Sequence, residues 1–313
     1  MNESREGWER DVLRELATAS IREQRRARRW GIFFKFLAFG YVTLLLVTLV
    51  DWRQSAGTSG KHTALIEIAG VIAPGSDTSA ERVNAALQAA FKDSNTQGII
   101  LRINSPGGSP VQSQTIYDEI RRLKKAHAGI PVYAVVEDVC ASGGYYVAAG
   151  ADRIYVSASS IIGSIGVRMD SFGVTGLMEK LGVERRLLTS GSSKGMLDPF
   201  LPENPADKAH MQALLKEVHD QFISAVREGR GKRLKDGQDL FSGLIWTGQG
   251  GIQLGLADAI GTVDTVARDV IKAENIVDYT QKESLTEKFA RRVGVTAART
   301  FSEILLQSAP TVR

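Results

Sequence analysis

The chain has 313 residues, with 39 lysines and arginines against 35 aspartates and glutamates, and a single cysteine. A net charge of +4 gives no support to nucleic-acid binding as the main activity. Cys140 alone excludes both an intramolecular disulfide framework and a cysteine zinc site.

Residues 1–29 form an expected cytoplasmic segment that ends in an arginine cluster at Arg22, Arg25, Arg26, Arg28 and Arg29. Residues 30–50, WGIFFKFLAFGYVTLLLVTLV, contain one charge, Lys35, placed where its ammonium can reach headgroups. Trp30 and Trp52 bracket the run, about 33 Å apart along a helix, the span of a hydrocarbon core with its aromatic belts. The pattern predicts a single-span transmembrane signal anchor. A buried core helix of this length would show a polar stripe, and a cleaved signal peptide would have a shorter basic region and a small-residue cleavage site. The arginine cluster keeps the N-terminus cytoplasmic and sends the rest across the inner membrane to the extracytoplasmic, periplasmic side.

Residues 51–62 read as a tether. GTSGKHT within it imitates a phosphate loop, but its glycines are too close together. From residue 63 to 273 the pattern is α/β. TALIEIAGVI is strand-like, 79–93 is an amphipathic helix, GIILRINS is a buried strand, 111–126 is helical and PVYAVVED is another buried strand. Alternation of this kind implies parallel pairing through helical crossovers. Residues 206–229 form a long helix. Residues 274–313 are polar and weakly patterned, hence an expected peripheral tail.

Open parallel sheets gather function at the carboxyl ends of their strands. Two such ends here carry small-residue clusters, Asn104 to Pro110 (NSPGGSP) and Cys140 to Tyr146 (CASGGYY). Ser142 stands before two glycines and an apolar helix, and the Gly143 amide beside it is placed to donate to an oxyanion. Read alone, Ser142 is also an ordinary helix N-cap, and the Pro-Gly-Gly turn an ordinary strand-to-helix turn. A serine nucleophile needs a base. His62 falls in the tether, His127 before a turn, and His210 and His219 in the long helix, so a Ser-His-Asp triad is poorly supported. A desolvated lysine can serve instead, and Lys194 in TSGSSKGM is the candidate, although composition alone makes it a solvated loop lysine.

NSPGG, ASGGYYVAAGAD, SIIGSIGV, SGSSKG and FSGLIWTGQGGIQLGLADAIG, in that order, resemble the signal peptide peptidase A family over about residues 63–265. The resemblance is to the short, single-domain form. It implies a ClpP/crotonase-like fold behind the membrane anchor and a serine peptidase with a Ser/Lys dyad. Carried over by position, Ser142 matches the nucleophile, Lys194 the general base and Ser164 the hydroxyl that orients it. The amides of Gly108 and Gly143 match the oxyanion hole, and Gly107 shapes the turn. An extended peptide would add to edges at Gly107 and at Ile165, Gly166 and Val167. The resemblance implies no metal or cofactor, cleaved signal peptides and other small or unfolded peptides as substrates, and a homo-oligomer whose active sites can involve neighbouring protomers. Gly250-Gly251 depart from the family, where helix formers are usual, and weaken the expected helix there. Two rival readings share the fold: a crotonase-like acyl-CoA enzyme, which would need neither the Ser142 hydroxyl nor Lys194, and a non-catalytic membrane scaffold.

Overall fold

Alternating buried residues on three long strands build the centre of the computed structural model, which describes residues 25–26, 28–44, 60–235 and 239–282. The strands are β1 (His62–Ala69), β2 (Thr96–Ser105) and β3 (Val132–Ala141), joined by helices α2 (Ala80–Lys92) and α3 (Pro110–Ala126). Both strand pairs are parallel, as the alternation requires. On one face Ile66, Ile68, Ile99, Leu101, Ile103, Ala134 and Val136 bury themselves under α2, α3 and α4 (Gly143–Ala148). On the other, Leu65, Ile100 and Val135 meet Val266 and Ala267 of a short π-helix, Val266–Ile271.

The feature that positions the site is a fork in β3. Its first half, Tyr133 to Val135, pairs with β4 (Arg153–Val156). Its last three residues, Val139 to Ala141, pair instead with β5 (Ile161–Gly163). The register slips where the fork opens: Asn104 Oδ1 accepts the Val139 amide, and Ser105 then faces Cys140. The carboxyl end of β3 is thereby drawn toward β5, which pairs antiparallel with β6 (Ile245–Thr247). With β7 (Ala259–Ile260) and β8 (Ile276–Asp278), the described strands form one eight-stranded sheet. Its order is β6-β5-β3-β2-β1-β8, with β4 and β7 branching from β3. Helix α5 (Thr175–Leu181) lies in an exposed excursion, and the long helix α6 (Pro205–Arg230) returns the chain to the core. Helix α7 (Gly248–Gln253) forms despite its glycines. A Cβ at Gly251 would strike the Ile162 side chain, so close packing explains the glycine there, whereas nothing in the structure explains the one at Gly250.

Two sequence expectations are corrected. His62 is not tether: it opens β1, is fully buried, and meets the Tyr279 hydroxyl at 3.0 Å. Residues beyond 273 are not all peripheral, because β8 pairs with β1 and the Tyr279 amide donates to Leu65. Among the described residues no helix is long and apolar enough to cross a membrane. Helix α1 is described over 28–44, about 26 Å, with Phe33, Phe36 and Phe39 exposed, and residues 45–50 lie outside the described residues. The described residues fall into two units, divided between Thr58 and Ser59.

Candidate active site

Ser142 is forced into a conformation that a side chain resists. It turns from β3 into α4 with φ 50° and ψ −123°, outside the allowed regions for L-residues. Such a residue costs about 1–3 kcal/mol and persists only where its surroundings hold it. Here its amide donates to Gly163 of β5 at 2.8 Å, and its carbonyl accepts from Tyr146 at 3.0 Å. The side chain makes no capping hydrogen bond, so Ser142 is not the ordinary N-cap that its sequence position allows. It lines a cleft of about 750 Å³.

The Pro-Gly-Gly turn after β2 closes over this serine. Gly107 has φ +96° and Gly108 φ +154°. A Cβ on Gly107 would lie 2.6 Å from the Gly143 nitrogen and 2.8 Å from the Ser142 Cβ, so only glycine fits. Gly108 bridges to Ile72 through its neighbours: the Gly107 carbonyl accepts the Ile72 amide at 2.9 Å, and the Ser109 amide donates to the Ile72 carbonyl at 2.8 Å. That pattern turns the N–H of Gly108 away from Ile72. The Gly108 nitrogen lies 3.2 Å from where a Cβ of Gly143 would stand. Both glycines whose amides are oxyanion candidates therefore line the same cleft as Ser142.

Past β5 the chain runs along the cleft. Ser164 again has positive φ, 52°, and its amide donates to Leu244 at 2.7 Å. Ser164, Gly166 and Val167 line the cleft, whereas Ile165 is buried behind it. The floor is aromatic: Tyr146 of α4 stacks on Phe222 of α6 at 4.7 Å and meets Tyr117 of α3 edge-on at 5.4 Å. Burial pushes the Tyr117 phenol up to about 12, against a smaller opposing effect of Arg121, so it stays neutral. Arg168 is the one charged lining residue among those described. Sequence reasoning missed the aromatic floor, Arg168 and the role of α6, since Phe222 and Tyr146 look like ordinary core residues along the chain.

Lys194 is not on the cleft wall. It occupies an exposed turn, its amide donating to the Gly191 carbonyl at 3.2 Å. The histidines are otherwise engaged or exposed. His127 lies against Phe91, His210 is exposed, and His219 Nε2 faces the Ile165 carbonyl at 3.1 Å. Cys140 is buried beneath the site, and burial drives its thiol pKa well up, so it has no nucleophilic thiolate.

The site is therefore a strained serine at a strand end, set beneath a glycine turn on a mostly parallel α/β sheet. Residues 64–162 match the Clp protease family model, and residues 124–277 match that of peptidase family S49. Over 232 residues the chain is 31% identical to one assigned as signal peptide peptidase SppA in Enterococcus faecium, covering 72% of this chain and 67% of that one. It is 28% identical over 256 residues to serine protease SPPA, chloroplastic, of Arabidopsis thaliana, covering 76% and 37%. A stretch of 175 residues is also 50% identical to part of a Na(+)/H(+) antiporter NhaA from Brucella melitensis biotype 1, covering 56% of this chain and 24% of that one. The chain thus spans about a quarter of the length of its Brucella relatives. It belongs to the signal peptide peptidase A family of S49 peptidases.

Proposed function

We propose that the chain is a membrane-anchored endopeptidase that degrades remnant signal peptides and other small or unfolded peptides through Ser142 and Lys194. The observation that carries the reading is the glycine turn packed onto a strained, uncapped Ser142 in one cleft. A peptide would lie extended along 164–167, its side chain in the aromatic floor. The Lys194 amine takes the Ser142 proton as Oγ bonds to the carbonyl carbon, and the Gly108 and Gly143 amides receive the oxyanion. The Lys194 ammonium then protonates the leaving amine as the C–N bond breaks. Water, deprotonated by the same lysine, releases the acyl group. Ser164 orients the amine.

Because Lys194 lies off the cleft of its own chain, a neighbouring copy supplies it in this reading. Phe172, Leu181 and Leu188 of the surrounding excursion are 82%, 67% and 98% exposed, a surface suited to burial against a second copy. The apolar run 30–50 anchors the chain in the inner membrane, with the N-terminus cytoplasmic and the peptidase unit periplasmic. Occurrence of a closely related sequence within a longer chain named as an antiporter is in keeping with a membrane setting. A serine-reactive phosphonate tests the chemistry: it labels Ser142 in the wild type and not in Ser142→Ala. Equal cleavage of a reporter peptide by the two would end the Ser142 mechanism. A membrane-impermeant maleimide tests the topology, labelling Ser55→Cys but not Ser4→Cys in spheroplasts.

A further inference from the structure

We propose that His219 of α6 is a positioning residue for substrate: its Nε2–H holds the 164–167 edge in the shape that receives a peptide. A carbonyl only accepts, so the 3.1 Å contact with Ile165 makes Nε2 the donor and gives it the proton in the neutral ring. That nitrogen has no lone pair for Ser142, which removes it from the list of bases and gives it another task.

The task follows from what surrounds Ile165. Ser164, one residue before, holds a positive φ that a non-glycine residue resists. Gly166 and Val167, just after, line the cleft. Three hydrogen bonds flank this strained point. The Gly163 carbonyl takes the Ser142 amide, the Ser164 amide goes to Leu244, and the Ile165 carbonyl takes His219. The first two are backbone bonds within neighbouring strands and loops. The third comes from a side chain on a separate helix.

The same helix reaches the nucleophile by a second route. One turn after His219, Phe222 stacks on Tyr146, which lies on the short helix that Ser142 opens. Val218 lines the cleft beside them. Helix α6 thus sets the distance between the peptide-receiving edge and the nucleophile's helix, with His219 as its polar contact to the edge and Phe222 as its apolar contact to the floor. Loss of the His219 bond frees the Ile165 carbonyl and lets the edge relax at Gly166 and Val167, while the Ser142–Gly163 and Ser164–Leu244 bonds still hold the residues before it.

The assignment rests on the reading that Ser142 attacks a peptide lying along 164–167. The experiment uses the full-length chain in detergent, as wild type, His219→Phe (similar bulk, no donor) and His219→Gln (a donor of similar reach). Phosphonate labelling of Ser142 is measured first, because a small probe does not need the edge. Absence of labelling in the wild type overturns the Ser142 reading itself. With labelling established, His219→Phe is expected to raise the KM for an extended peptide about fivefold, with kcat and the labelling rate within about twofold of wild type. His219→Gln is expected to restore most of the KM. An unchanged KM in His219→Phe overturns the assignment. So does a fall in Ser142 labelling that parallels the fall in peptide cleavage, or a His219→Gln that behaves like His219→Phe.

Discussion

The amide of Ser142 donates to the carbonyl of Gly163 at 2.8 Å, and the next residue after Gly163 is Ser164. Both serines stand at positive φ, near 50°. One hydrogen bond therefore couples the two strained hydroxyl-bearing positions of the cleft. It exists because β3 forks and sends its last residues to β5 rather than β4. The fork is the structural origin of the site: without it Ser142 would end a strand in the middle of the sheet, away from the edge that a peptide can join.

The glycine turn is the most exposed part of this arrangement to a single methyl group. Gly107→Ala places a Cβ 2.6 Å from the Gly143 nitrogen, at a φ of +96° that alanine resists. Peptide turnover is expected to fall at least about 100-fold, the effect of disturbing one oxyanion donor. The fold should weaken by about 1–3 kcal/mol through backbone strain. Steady-state peptide cleavage and thermal melting report the two effects separately. Wild-type turnover in Gly107→Ala would remove the glycine turn from the mechanism.

Much of this could be read along the chain, for reasons that are local. Helices α2, α3 and α6 begin and end within a few residues of the amphipathic stretches that predict them, and β1 to β3 follow their buried runs. The clusters at Gly107-Gly108 and Ser142-Gly143 are recognisable because tight turns demand glycine. What is not legible depends on pairing between distant segments. Nothing in Tyr133 to Ala141 marks where one partner strand ends and another begins. Strand β8 is three residues long and its neighbours are polar, so its pairing with β1 leaves no periodic trace. His219 and Phe222 sit in an ordinary helical pattern, and only the packed structure turns them toward the cleft. Small residues around Lys194 specify a turn, but not what covers it.

Phe222 is expected to matter to both stability and selectivity. It is 3% exposed and stacked on Tyr146, so Phe222→Ala should destabilise the fold by about 3–5 kcal/mol. Phe222→Leu should recover most of that loss. Cleavage after large apolar side chains should decline in Phe222→Leu relative to cleavage after alanine, as the floor loses its flat aromatic surface. Competition between two reporter peptides in one reaction measures the ratio directly; an unchanged ratio would place the side-chain pocket elsewhere.

A buried ion pair holds the far end of α6. Arg230 is 1% exposed and donates to Asp258 at 2.7 Å and to the Gly255 carbonyl at 2.9 Å. Burial pushes the Asp258 carboxyl up, but the Arg230 bond and charge, the Ile154 amide and the Arg233 charge outweigh it and leave it below its ordinary 3.8. A lowered folded-state pKa contributes stability that is present above the unfolded value and is lost as pH falls through the folded one. The melting-temperature gap between wild type and Asp258→Asn should therefore be constant near neutrality and close as pH drops below 3.8. Arg230→Met, which leaves the carboxylate only the Ile154 amide and the more exposed Arg233, should cost about 3 kcal/mol at neutral pH. A gap independent of pH down to the acid limit would show that Asp258 is not charged in the fold.

Completion of the site by a second copy makes a prediction that no single-chain mechanism shares. Ser142→Ala keeps its lysine and lacks the nucleophile, while Lys194→Ala keeps the nucleophile and lacks the base. Each alone should be inactive. Where the lysine crosses between copies, an oligomer assembled from equal amounts of both contains junctions at which an intact Ser142 meets an intact Lys194. In a cyclic assembly with random placement these are about a quarter of all junctions. Co-expression of the two variants with different tags, followed by tandem purification and a peptide assay, should therefore restore about a quarter of wild-type turnover. Phosphonate labelling should fall on the Lys194→Ala chain, which carries the only intact nucleophile. A mixture as inactive as its components would place Lys194 and Ser142 in the same chain, and would require the exposed turn at 191–196 to move onto its own cleft when substrate binds.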